Sequence, residues 1–168
     1  MKKKGRPGIK KIILWAAVLA WIALSSFLSV QTGTESSRLS GSIAAFIADL
    51  AKGWLGMNVD METFHQTLRK AAHILVFLVM GGLLEIACAE TGGVSAKWSR
   101  PMALCALAAC TTIALFNEFQ KRWVQGRHCN WDEAALNVLG AAAGVLLAAG
   151  IRYCILKRVA RKKGEGGR

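Results

Sequence analysis

Residues 71–89 read AAHILVFLVMGGLLEIACA. Apart from His73 and Glu85 the run is apolar, and as a helix rising about 1.5 Å per residue it is long enough to cross a hydrocarbon core of roughly 30 Å. Three other stretches read the same way: residues 12–30 upstream, then 98–117 and 134–151 downstream. Together they take up nearly half of the 168 residues, and 54% of the chain is hydrophobic against 19% charged. The 22 Lys and Arg outnumber the 10 Asp and Glu, for a formal charge of +12. This distribution excludes a disordered basic tail, a secreted disulfide scaffold and an ordinary soluble enzyme. It predicts an all-α, polytopic membrane protein, a bundle of four transmembrane helices.

The flanks of each run support this reading. Residues 1–11 form a basic tail holding Lys2, Lys3, Lys4, Arg6, Lys10 and Lys11. A basic start before an apolar run is also how a signal peptide begins, but the run is long and no A-x-A-like cleavage site follows, so an uncleaved span is expected. The second run is entered by Leu68, Arg69 and Lys70. The third has Ser99 as a candidate cap and Pro101 in the first helical turn, where its missing N–H costs nothing. The fourth extends to Leu156 if Arg152 snorkels out to the interface. A transmembrane domain over residues 12–156 is expected, followed by a basic tail at 157–168.

Lys and Arg near the span ends set the orientation. The N-terminal tail, the 90–100 connection (Lys97, Arg100) and the C-terminal end (Arg152, Lys157, Arg158, Arg161, Lys162, Lys163, Arg168) carry fifteen. The 31–70 loop (Arg38, Lys52, Arg69, Lys70) and the 118–133 loop (Lys121, Arg122, Arg127) carry seven. Both termini are therefore expected in the cytoplasm and the two larger loops outside. The excess charge is mostly a topology signal. Nucleic acid is not an expected partner, because no aromatic residues interleave with the basic ones.

In the first outer loop, residues 42–57 place Ile43, Phe46, Ile47, Leu50, Trp54 and Met57 on one helical stripe, with Asp49 and Lys52 elsewhere. The pattern fits an interfacial or re-entrant amphipathic helix on the outer leaflet, and equally a helix packed on the outer mouth of the bundle. Residues 32–41 are polar and Ser-rich and read as a loop or turn. Cys88, Cys105, Cys110, Cys129 and Cys154 include no C-x-x-C pair, so free thiols are expected. Gly140 and Gly144 form a small-x-x-x-small pair suited to close helix approach, more readily within the chain than between chains. Glu85 has no evident role.

The outward ends of the runs share an unusual set of polar residues. Arg69, Lys70 and His73 open the second run on one face. Asn117, Glu118 and Gln120 end the third. Arg127 follows Gly126 in the loop. Asp132 and Glu133 open the fourth, and Asn137 lies about one turn further in. Singly, each has an ordinary explanation as a snorkelling cation, a core histidine or interhelical glue. Jointly, three separate segments bring ionisable groups to one depth, where they are costly unless they face a partner or a cavity. A shared outward-facing site is expected, with Arg127 folded back towards Glu118 or Asp132. Its cations suit an anion, and its carboxylates suit orientation of those cations. His73 and Glu118 are candidate general acid and base. A metal site from His73, Glu118 and His128 lacks ligand spacing, and neither metal nor cofactor is expected.

Four ordered pieces carry a family resemblance: Arg69-Lys70-x-x-His73; Asn117-Glu118-Phe119-Gln120; Trp123-Val124-x-Gly126-Arg127; and Asp132-x-x-x-x-Asn137-x-x-Gly140. With Ser25-Ser26-Phe27, Gln31-Thr32-Gly33 and the serines from Ser36 to Ser40 upstream, the chain resembles the VanZ-like family of bacterial membrane proteins over roughly residues 12–150. Asn117 departs from the acidic residue usual before the Glu, which takes away one charge from any two-carboxylate mechanism. Trp123 stands where Phe is usual. The resemblance implies a multi-pass protein of the bacterial plasma membrane, in a family whose founding member is associated with resistance to the glycopeptide teicoplanin. It implies no particular reaction. It marks Arg69, Lys70, His73, Glu118, Gln120, Arg127, Asp132 and Asn137 as the motif positions.

Three functions compete on these grounds. The first is a non-enzymatic envelope protein binding an anionic lipid head group or a lipid-linked cell-wall precursor. The second is an enzyme acting on such a head group through His73 or Glu118. The third is a structural accessory subunit whose polar set only holds helices together.

Overall fold

The computed structural model describes residues 8–55, 60–92 and 100–165. Among them there is no strand. The elements are α1 (Ile9–Val30), α2 (Gly33–Leu55), α3 (Met61–Thr91), α4 (Arg100–Gln120), a single 3₁₀ turn at Lys121–Trp123, and α5 (Trp131–Glu165). The expected all-helical bundle is found: α1, α3, α4 with its 3₁₀ turn, and α5 are each long and apolar enough to cross a membrane. Their outer faces carry exposed Leu19, Phe27, Leu104, Phe116, Leu139, Leu146 and Ile151, as helices bathed in lipid require.

Several local boundaries differ from expectation. The segment read as a loop at 32–41 is helical from Gly33. A capping box explains the start: the Glu35 amide donates to Thr32 Oγ1 at 3.3 Å, and the Thr32 amide donates to Glu35 Oε2 at 3.1 Å. The two side chains thus satisfy each other's otherwise orphaned backbone donors. Asp60 caps α3 by accepting from the Thr63 amide at 3.3 Å. α4 continues past Asn117 to Gln120 before tightening into the 3₁₀ turn. α5 begins where the Asn130 side chain accepts from the Asp132 amide at 3.0 Å and runs on to Glu165, beyond the expected end near Leu156. The Trp98–Ser99 start of the third run and Met57 of the amphipathic stripe lie outside the described residues, as do the side chains of Leu50 and Trp54.

α3 and α5 form the central pair. Gly140 and Gly144 of α5 lie against the backbone at Ile74 and Leu78 of α3, and Gly81 of α3 lies against the backbone at Ala141. A Cβ at any of these three would run into a main-chain carbonyl. The Gly140–Gly144 pair is therefore spent inside the chain. α4 packs on both central helices, α1 on α3 and α4, and α2 on α3. The core between them holds Val18, Phe77, Met80, Leu84, Cys110, Ala114 and Val145. α1 is also fastened by polar contacts: Trp21 Nε1 donates to the Val76 carbonyl at 2.9 Å. All five cysteines are free, as expected.

One end of the bundle is closed by Lys10 paired with Glu90 at 2.6 Å and Trp15 bonded to Thr91 at 2.9 Å. Near that end Arg152 pairs with Glu85 at 2.7 Å. This corrects the expectation that Arg152 snorkels out, and it gives Glu85 a role. A carboxylate only 1% exposed draws the guanidinium inward, since a charge at membrane depth is cheapest when paired. The opposite end holds the polar set.

Candidate functional site

The site is assembled from one face of α3, the C-terminal turns of α4, the loop after it and the first turns of α5. On α3, Arg69 and His73 are four residues apart and share a face. On α5, Glu133 and Asn137 do the same and meet them. Arg69 Nη2 lies 3.0 Å from Glu133 Oε1. His73 Nε2 lies 3.3 Å from Glu133 Oε2, and its Nδ1 lies 3.1 Å from Asn137 Oδ1, so the ring is held at both nitrogens.

The centre is Lys121. The 3₁₀ turn folds its side chain back, and its ammonium lies 2.5 Å from Glu118 Oε1 and 2.6 Å from Glu133 Oε2. Lys121 and Glu118 are each 1% exposed. The other Glu118 oxygen accepts from the Asn130 amide at 3.4 Å. The ligand atoms of His73, Glu118 and Glu133 all lie within 4.8 Å of one another, spacing that suits a cation. The cation bridging the two carboxylates is the Lys121 ammonium. His128, grouped with His73 and Glu118 on sequence grounds, is exposed and outside this trio.

Arg127 is turned back over the bundle end by Gly126, whose φ of 73° is the left-handed conformation that glycine adopts without strain. Its Nη1 donates to the Ser29 carbonyl at 3.0 Å. Burial pulls its guanidinium below the ordinary value and nearby Arg69 acts in the same direction, while Glu133 and Glu118 oppose them. Arginine stays charged regardless. Asn117 acts structurally. Its Oδ1 accepts from Ser26 at 2.9 Å and from Gln120 at 3.3 Å, and its carbonyl accepts from Ser29 at 2.8 Å. These bonds sew the serine face of α1 to α4.

Two chambers meet at this cluster. The inner one, about 320 Å³, has walls from α1, α2 and α3, mostly apolar: Leu28, Ile43, Leu68, Val76 and Phe77. Its polar lining includes Ser29, Arg69, His73, Glu118, Arg127 and Asn137. The outer one is polar, lined by Thr32, Thr34, Gln125, His128, Asn130 and Glu133 together with Arg69 and Arg127. Arg69 and Arg127 line both chambers and so mark the boundary.

Of the eight residues singled out from sequence, the structure brings Arg69, His73, Glu118, Arg127 and Asn137 together. Lys70 and Asp132 are exposed and line neither chamber, and Gln120 bonds to Asn117 instead. Helical spacing explains the exchange of Asp132 for Glu133. At 100° per residue, Glu133 falls about 40° from Asn137 and Asp132 about 140° away. Glu118 has its second carboxylate after all, supplied from α5 by Glu133 rather than by the position before it. Sequence reasoning misses Lys121 because it ends the third span at Asn117; the i,i+3 spacing from Glu118 is the available signal.

These features define a class: a small multi-pass helical membrane protein with a buried ion-pair network and a two-chambered cavity at one end of its bundle. The profile of the VanZ/LLP1 family matches residues 14–155, and the chain belongs to that family. The comparisons with curated proteins and with solved structures return no match.

Proposed function

We propose that this protein binds the anionic head group of a membrane lipid or lipid-linked cell-wall precursor at its outer face, without turning it over, and thereby alters access of lipoglycopeptides to the surface. The supporting observation is the boundary between the chambers, where Arg69 and Arg127 stand side by side above the Lys121 network. Three cations there meet two carboxylates, leaving a positive charge over before His73 is counted. Glu118 and Glu133 are already engaged by Lys121 and Arg69, so they act as orienting groups for the cations. Both termini are taken to lie in the cytoplasm of the bacterial cell, on the Lys and Arg distribution, which puts the site at the outer leaflet.

The test is native mass spectrometry of the purified full chain with phosphatidylglycerol and with a lipid-linked precursor. A charge-assisted contact in a partly desolvated site contributes about 1.5–3 kcal/mol. Arg127→Ala should therefore weaken retention roughly ten- to a hundredfold. Equal retention by wild type and variant would sink the binding reading and leave the network a structural device. Turnover of the precursor by wild type, abolished in Glu118→Gln with binding intact, would replace it with the enzyme reading.

A further inference from the structure

The binding reading concerns a head group; the inner chamber speaks to what is attached to it. Its wall is apolar on α1, α2 and α3, through Leu28, Ile43, Leu68, Val76 and Phe77, yet it begins at two arginines. A free inorganic anion would use the arginines and leave this apolar volume idle. A volume of about 320 Å³ lies at the lower end of what small-molecule pockets enclose. The chamber also has a side. Leu28 belongs to α1 and Ile43 to α2, and among the described residues these two helices make almost no contact with each other. Phe27 of α1 and Phe46 of α2 are both exposed, apolar side chains that suit hydrocarbon.

Resting on the head-group reading, we infer that the ligand is a phosphate-bearing lipid drawn in from the side between α1 and α2, its phosphate at Arg69 and Arg127 and the first part of its chain lying in the inner chamber. Charge selects the head and the apolar wall selects the chain. A water-soluble anion meets only half of the site. Lateral entry requires no ligand to leave the membrane, so the chain trades lipid contact for protein contact while the phosphate gains its two guanidinium partners.

The experiment uses full-length protein in nanodiscs of a phosphate-free betaine lipid, so that the bilayer itself supplies no phosphate, and a series of soluble probes: inorganic phosphate, then ethyl, butyl and hexyl phosphate. Each methylene moved from water into the chamber should raise affinity about fourfold, until the chamber is full. Ala72, an exposed residue of α3 that lines the chamber, is the place to fill it. Ala72→Trp should abolish the chain-length gain relative to empty nanodiscs while phosphate itself is still bound, and an unchanged helical circular-dichroism signal and gel-filtration elution report that the variant is folded. Should Ala72→Trp fail to fold, Ile43→Trp on α2 blocks the chamber from the other wall. Alkyl phosphates binding no tighter than inorganic phosphate would overturn the chain proposal and leave the head-group reading standing. A chain-length gain that persists in both filled variants would do the same. If neither phosphate nor any ester binds, both readings fall together.

Discussion

Lys121 carries the greatest consequence of any single residue. Its ammonium is shared by Glu118 and Glu133, and with Glu118 it is withdrawn almost wholly from solvent. Removing one partner of a buried ion pair leaves the other charge uncompensated, at a cost of about 3–5 kcal/mol. Lys121→Met keeps the side chain's length and discards its charge, so it should lower stability by that amount in denaturant unfolding of the detergent-solubilised protein. Adding Glu118→Gln should recover part of the loss, because one of the two stranded carboxylates is then neutral. A Lys121→Met protein as stable as wild type would show that the network does not hold this end of the bundle together. In the sequence Lys121 is only one more outer-loop charge, because nothing in the run from Phe119 to Trp123 announces that the chain tightens rather than leaves.

At the scale of elements, two features invite test. The α3–α5 contact depends on backbone meeting backbone at Gly140, Gly144 and Gly81. Gly144→Val would drive its side chain into the Leu78 carbonyl. The helices must part, with an overpacking cost of about 1–3 kcal/mol and loosened pairing of Arg69 and His73 with Glu133. The variant should melt earlier than wild type, whereas the same change at Gly53, where a Cβ meets nothing, should be silent in packing. The second feature is the α2 capping box. The hydrogen bonds from Thr32 hold the Glu35 carboxyl below its ordinary value of 4.5, outweighing a small opposing effect of desolvation. A carboxyl whose folded value is depressed contributes stability that is complete above the unfolded value and is lost as pH falls through the folded one. Amide exchange at Glu35, corrected for its intrinsic rate, should therefore rise as the pH drops below 4.5. In Glu35→Gln, whose neutral side chain still accepts from the Thr32 amide but does not titrate, it should be indifferent to pH over that range. Residues 32–41 read as a loop because serine, threonine and glycine favour turns; the T-x-x-E cap overrides that preference.

For the whole molecule, orientation is the quantity to establish. Gln125 is an exposed residue of the outer chamber. In a variant with all five cysteines replaced by Ala or Ser, Gln125→Cys should react with a membrane-impermeant thiol reagent on intact cells. Reaction only after permeabilisation would invert the topology and place the chambers in the cytoplasm. Gln125 is a cleaner reporter than Cys129, which is half-buried beside Phe119 and Trp131.

Four apolar runs, the family motifs and the convergence of polar residues at one bundle end were all legible in the chain, because each follows from composition and local spacing. The lipid environment imposes helices on any run of that length, whatever its neighbours. Which polar residues face one another was decided only by the tertiary structure. Asp132 and Glu133 are adjacent and chemically alike, and only the rotation of α5 against α3 puts Glu133 on His73 and leaves Asp132 exposed. The same holds for Arg152, a snorkelling cation by position and the partner of Glu85 in fact. Pairing at membrane depth is set by helix rotation and close approach, which the glycines of α3 and α5 permit but do not spell out.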